Sequence, residues 1–424
     1  MFEDRYGNPI SVPSAEARDA YVKAVDLFLA AAPGVTEALQ RLTELAPDFA
    51  PGHIALARQM QSLGRGADVP ANVDRALSSL DGATAREKAH VQLLAKVVTG
   101  QGGAVWPEIL NHLREQPLDA MIAQTGVGVF GLIGFSGRSG REAEQLAFTA
   151  ALAPHYGDDW WFLAQHAFAL GEAGMVDAAD QVIERSLVGN ARNANAAHIR
   201  AHVHYEAGAT REGLEFLNKW LPDYDRAGLM HCHLNWHVAL WALAEGDTDT
   251  MWRVIDAHVA PGAAWGPPLN VLTDMAAILW RAELAGVDVP AHRWHAISDY
   301  AGQRFPEPGI AFADIHSALS HAMAGRGDLL DRIITDAKGP VADLVRPLAT
   351  AFRNMAAADW ASALTQVTSV MARHERFGGS RAQRDLVEYA MALCLIKTGR
   401  TEEAGRLLAT RRPVTTSIRE LRAA

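Results

Sequence analysis

The feature that most constrains this chain is a helical unit that recurs and is punctuated by glycine. Gly174 in ALGEAGMVDAAD, Gly208 in YEAGATREGL, Gly246 in LAEGDTDTMW, Gly286 in ELAGVDVP and Gly327 in MAGRGDLLD each separate one helix-like run from the next, at steps of 34, 38, 40 and 41 residues. Gly399 in IKTGRTEEAG repeats the device. A glycine just past a helix end adopts a left-handed φ without steric cost, so the helix stops and the chain can reverse. Self-similarity at this spacing marks a repeat architecture in which each unit buries its apolar face only against its neighbours. Runs of alternating β-branched residues bounded by turns are hard to find. The chain is therefore expected to be all-α, a superhelical solenoid of antiparallel helix pairs.

The N-terminal third follows the same grammar. Gly7, Pro9 and Pro13 mark residues 1–13 as an irregular leader, and Ser14 is placed to cap a helix carrying Ala20, Val25 and Leu29. TEALQRLTEL, from Thr36 to Leu45, reads as the next helix; Pro47 ends it, Asp48 to Pro51 turn the chain, and a third helix runs to Gly64. These are degenerate TPR-like (tetratricopeptide-type) pairs, so the expected organisation is a leader at 1–13, one solenoid over 14–412 and a tail at 413–424. Residues 121–141, MIAQTGVGVFGLIGFSGRSGR, break the pattern with glycines that lower helix propensity. They read as a closely packed helix connection. An anion loop at a helix N-terminus would be the other reading, but the P-loop spacing and its lysine are missing.

Composition narrows the partners. With 49% hydrophobic and 21% charged residues the chain has ample core and no disordered character. A net charge of −10 gives no sequence-wide pull toward phosphate backbones or anionic membranes, so neither nucleic acid nor a membrane is expected as a partner. Cys232 and Cys394 stand in different units, which argues against a disulfide framework. The first residues lack the apolar stretch of a signal peptide, and no apolar run is long enough to span a bilayer, so a cytoplasmic setting is expected. The tail RRPVTTSIRELRAA is available to pack on a second copy, which allows a homo-oligomer.

Chemistry concentrates between residues 193 and 241. His198 with His202, and His233 with His237, are each spaced i, i+4, which places two imidazoles on one helix face. The pairs are offset by 35 residues, close to the repeat step, so they occupy equivalent positions on successive units and are expected to face one cavity in the inner wall. Carrying the step along the chain adds His166 upstream and Asn270, Asp274, His316 and His321 downstream. A single histidine on an apolar face is more often a hydrogen-bonded core residue. A row of polar groups, each costing roughly 1–3 kcal/mol if buried unpaired, is better explained by a shared site.

The expected catalytic set is His198, His202, His233, His237 and Asp274, with His166, Asn195, Tyr205, Trp236, Asn270 and His316 binding substrate. Trp160, Trp161, Trp241, Trp265 and Trp280 supply apolar walls, most of them as solenoid core. His204 and His231 point off the paired faces, and Cys232 reads as a packed thiol. Neutral imidazoles at i, i+4 suit a divalent ion, acid/base work steered by Asp274, or binding alone. HxxxH lacks the glutamate of HExxH, which tilts the reading toward acid/base chemistry or binding. No cofactor is required; a divalent metal, if bound, would take the four histidines.

AAHIRAHVHYEAG, HCHLNWHVALWALAEGD and LTDMAAILWRAELAGVDVPAHRW together resemble the tetratricopeptide repeat protein 38 family. The matching positions are His198, His202 and Glu206, then His233, Trp236 and His237, then Asp274, Arg281, Gly286, Arg293 and Trp294. Asn235 departs from the animal-type pattern, which has an aromatic residue there. The resemblance implies an atypical helical-repeat fold and brings no established activity with it. Two functions follow from the residues. The first is an enzyme, a hydrolase, lyase or isomerase, acting on a small molecule in a histidine-lined pocket. The alternative is a non-catalytic adaptor that binds a peptide or protein partner along the concave face.

Overall fold

The computed structural model describes residues 1–409. It is 73% helical, and the strands among the described residues form one two-residue antiparallel ladder, Phe2–Glu3 with Pro9–Ile10. The leader is thus not wholly irregular: the Asp4 carboxylate accepts from the backbone N–H of Tyr6 and Asn8, both at 2.9 Å, and turns the chain between the two strands. Ser14 caps the helix Ala15–Leu29 by accepting from the Ala17 N–H. The tail at 413–424, and with it the suggested contact with a second copy, lies outside the described residues.

Two series of helices alternate. The inner series comprises Trp160–Glu172, Ala194–Ala207, His231–Glu245, Pro268–Leu284 and Ala311–Met323. Val176–Gly189, Thr210–Trp220, Thr248–Val254, Ala291–Arg304 and Gly327–Asp336 form the outer series. Burial separates them sharply: thirteen of the fifteen residues of His231–Glu245 are buried, against three of eleven, Gly213, Leu217 and Trp220, in Thr210–Trp220. A helix apolar on one stripe can face solvent, whereas one without a solvent face has to be enclosed by protein. Gly208 and Gly246 end their inner helices at φ 69° and 81°, in the left-handed cap that the spacing predicts.

Residues 29–31 and the helix Arg381–Lys397 both return to the middle of the solenoid. From the N-terminal side, Ala30 O accepts from Ala194 N–H, Leu29 O from Asn195 Nδ2, and Ala31 O from the Tyr224 hydroxyl. From the C-terminal side, the helix Arg381–Lys397 packs against Ala194–Ala207 and Pro268–Leu284. There the Tyr205 hydroxyl donates to Asp385 at 2.6 Å, and Arg281 donates to the Tyr205 oxygen and to Ala382 O. Between Gln124 and Arg141 the glycines make a close connection. A Cβ on Gly134 would lie 2.3 Å from Val129 O, and the Arg141 guanidinium, not an anion, is held by the carbonyls of Gly134, Glu375 and Gly379. Trp161, Trp241 and Trp280 are core residues, but Trp265 is 58% exposed, so its expected role as a wall is corrected. Among the described residues no helix is long and apolar enough to cross a membrane.

Candidate metal centre

The helix Ala194–Ala207 starts at Asn193, whose side chain accepts from the Ala196 N–H. That start sets the phase which turns His198 and His202 inward. His231–Glu245 turns His233 and His237 toward them from the next unit. The four rings form a distorted square, with neighbouring centroids at 4.5 Å (His198 and His202), 4.7 Å (His198 and His233), 4.8 Å (His202 and His237) and 5.1 Å (His233 and His237). One ligand nitrogen from each imidazole lies within 4.8 Å of all the others, and all four residues are buried.

Each ring has different surroundings. The Nε2 atoms of His198 and His202 face each other at 2.8 Å. His233 Nδ1 donates to both oxygens of Asp274, at 2.9 and 2.8 Å, which leaves its Nε2 lone pair for the centre. His237 is fully buried, and neither of its ring nitrogens has a hydrogen-bond partner among the described residues. Trp236 stacks on His233 with an interplanar angle of 15°, Trp241 tilts against His237, and Phe168 meets His202 edge-on. Burial first, then the neighbouring imidazoles, holds His198 and His237 well below the ordinary histidine range, so both are neutral and keep a lone pair. Burial raises the Asp274 carboxyl against the pull of His233.

This donor set fits a cation better than a substrate. A tetrahedral ion with metal–nitrogen bonds of about 2.0–2.1 Å sits among nitrogens about 3.4 Å apart, within the spread seen here. The Asp274–His233 hydrogen bond is the arrangement that fixes the tautomer and orientation of a metal-ligating histidine. A surface cleft of about 420 Å³ lies elsewhere, lined by Val22, Lys23, Asp26, Leu27, Ala30 and Arg192 among others, and contains none of the predicted site residues.

Six predicted positions come together: His198, His202, His233, His237, Asp274 and Trp236. Asn270 lies buried one turn from Asp274, with Oδ1 unpartnered among the described residues. The others are spent elsewhere. His166 Nδ1 pairs with Thr149 Oγ1 at 3.0 Å, Asn195 holds Leu29 O, Tyr205 holds Asp385, and His316 Nδ1 donates to Phe312 O within its own helix at 2.7 Å. Cys232 is packed, its thiol pushed up by burial and then by Asp274, whose Oδ2 lies 4.0 Å from Sγ.

A second histidine group has no periodic signal in the sequence. Asp119 accepts from His90 Nδ1 at 2.9 Å, from His112 Nε2 at 3.0 Å and from Arg86 Nη1 at 3.2 Å. Burial alone would raise this carboxyl, yet His90, His112 and Arg86 hold it well below the usual carboxylate range.

No family model matches the chain. Solved structures with a similar course of helices include a human IFIT1 dimer with m7Gppp-AAAA, at 12% identity and a TM-score of 0.44, covering 96% of each chain. Yeast Tom70 is similar at 12% identity and a TM-score of 0.35, covering 92% of this chain and 82% of that one. Naa15/Naa10 bound to HypK-THB aligns at 10% identity and 0.25, covering 95% and 70%. The likeness is to helical-repeat proteins. The expectation of a small-molecule ligand with nucleic acid excluded is corrected: the IFIT1 structure holds m7Gppp-AAAA, and Naa15/Naa10 is bound to HypK-THB.

Proposed function

We propose that this chain is a helical-repeat scaffold that binds a protein partner on an exposed surface, with a divalent cation held among His198, His202, His233 and His237 as an internal structural centre. The observation that carries the partner-binding reading is a cluster of exposed apolar side chains. Phe130 and Phe135 are 38% and 36% exposed. The Phe130 and Phe135 rings lie 5.3 Å apart, and both rest on the buried Phe312 at 6.2 Å. Scattered exposed apolar residues are ordinary, whereas a contiguous patch marks an interaction surface. Arg381–Lys397 packs against two helices of the inner series, Ala194–Ala207 and Pro268–Leu284, which favours an outer surface for the partner.

The reading includes kinship with the tetratricopeptide repeat protein 38 family and a cytoplasmic setting, consistent with two free, buried cysteines. It gives the histidines a cation to hold rather than a small molecule to turn over, since one nitrogen of each ring lies within 4.8 Å of the others. Affinity capture with the wild-type chain, and with Phe130→Ser combined with Phe135→Ser, tests it. The expected result is a reproducible protein partner that the double variant loses while its helical content stays unchanged. Equal recovery by both chains, or no partner above an unrelated helical control, would overturn it.

A further inference from the structure

We infer that the ion is a four-coordinate divalent cation of the zinc class, and that it acts as the joint between the two halves of the solenoid. This rests on the reading of the histidines as a metal site and adds to it a class of ion and a mechanical role. The first observation is where the cluster stands. Successive inner helices pack closely along the rest of the series, Trp160–Glu172 on Ala194–Ala207, and His231–Glu245 on Pro268–Leu284. Ala194–Ala207 and His231–Glu245 are more loosely apposed. Across that seam the four imidazoles face one another, two from each helix, while Thr210–Trp220 packs against both helices from the outer series.

The second observation is the unmet bonding capacity of the seam. A buried polar atom without a partner is costly, and both nitrogens of His237 are in that position among the described residues. A cation among the four rings would satisfy His237 and turn the facing Nε2 atoms of His198 and His202 into co-ligands. Four imidazoles and no thiolate suit zinc and its borderline neighbours rather than Mg²⁺ or Ca²⁺, which take oxygen. Asp274, through His233, is the carboxylate that offsets the added charge. With Trp236, Trp241 and Phe168 packed on the rings, the site is closed, as structural zinc sites are, and keeps no position for a reacting water.

The third observation is that the same seam has a second clasp. Tyr205 and Asp385 join Ala194–Ala207 to the C-terminal helix, and Arg281 joins Pro268–Leu284 to it through Tyr205 and Ala382. Helices on both sides of the seam therefore have a second tie, so loss of the ion is expected to loosen the seam without unfolding the chain.

The test uses the full chain, purified without a histidine tag, stripped with chelator and titrated with Zn²⁺ against a competing chromophoric chelator. Co²⁺ serves as a visible reporter of four-coordinate geometry. Amide hydrogen exchange is then followed with and without zinc. One zinc per chain is expected. With free zinc at about 100 times its dissociation constant, exchange through openings that release the ion slows about a hundredfold in residues 194–207 and 231–245. Residues 85–123 are expected not to change. If zinc binds but exchange in the two helices is unaffected, or slows equally throughout, the joint is refuted while the metal site stands. If neither Zn²⁺ nor Co²⁺ is taken up, the metal site itself falls. His237→Gln, expected to lose uptake at unchanged helicity, separates binding at the cluster from binding elsewhere.

Discussion

Two groups of buried histidines lie in this molecule, and they are satisfied in opposite ways. At Asp119 one carboxylate serves His90, His112 and Arg86, so that both imidazoles have an anionic partner, and the group ties the helix Ala85–Lys96 to Gly102–Glu115. At the seam four imidazoles share one carboxylate, which reaches only His233, and His237 has no partner among the described residues. Histidine content is therefore no guide to a metal centre. What distinguishes the two is the ratio of carboxylates to rings: Asp119 reaches both imidazoles of its group, although His90 Nε2 and Arg86 Nε find no partner among the described residues, whereas Asp274 reaches one ring of four and leaves the others with lone pairs to offer a cation.

Removing each carboxylate in turn breaks the comparison most strongly. Asp119→Asn leaves Arg86 and two imidazoles without their anion in a buried site, and stability is expected to fall by about 3–5 kcal/mol whether or not metal is present. Chemical denaturation measures this; a loss below about 1 kcal/mol would place the group among weak surface pairs. Asp274→Asn is expected to weaken zinc binding about 10- to 100-fold by releasing the orientation of His233, read from competition titrations. Unchanged affinity would show that the carboxylate does not steer the ligand.

Packing around the seam gives a smaller effect. A Cβ on Gly213 would lie 2.4 Å from the Trp241 ring, which itself leans on His237. Gly213→Ala is expected to cost about 1–3 kcal/mol through overpacking and to weaken metal binding with it. Gly103→Ala, where an added Cβ meets nothing within 4 Å, is the control and should be neutral or slightly stabilising. Equal thermal shifts for the two would remove Trp241 from the wall of the site.

Acid sharpens the contrast in the metal-free chain. His198 and His237 have folded pKa values below the unfolded value of about 6.5, so the unfolded state binds more protons as pH falls through that value. Their contribution is present above about pH 6.5 and lost below it. Asp119 is depressed instead, so its contribution persists until pH falls below the unfolded carboxylate value of about 3.9. Amide exchange at pH 7.5 and 5.5 should therefore show the seam loosening first; simultaneous loosening of both regions would contradict the assignment.

The seam was legible in the sequence because its signal is local and periodic. An offset of 35 residues repeats the same phase on two successive inner helices, so four rings meet. Away from that step the spacing is a poor guide, since one residue turns a helical side chain by about 100°: Asp274, 37 residues after His237, still reaches His233, but other positions do not. His166, 36 residues before His202, pairs with Thr149, and His316 bonds its own helix. The Tyr205–Asp385 clasp spans 180 residues, and the Asp119 group joins residues with no common period, so spacing could point to neither. Spacing shows which rings meet but not which of their nitrogens stay unpaired, so the choice between acid/base chemistry and a metal could not be read from it.

X-ray absorption at the zinc edge of the loaded, untagged chain tests the central claim most directly. The account predicts a single shell of four nitrogen ligands at about 2.0–2.1 Å with imidazole scattering beyond it, lost in His237→Gln. A shell of mixed oxygen ligands, or one unchanged by that substitution, would place the ion outside the four histidines and contradict the account.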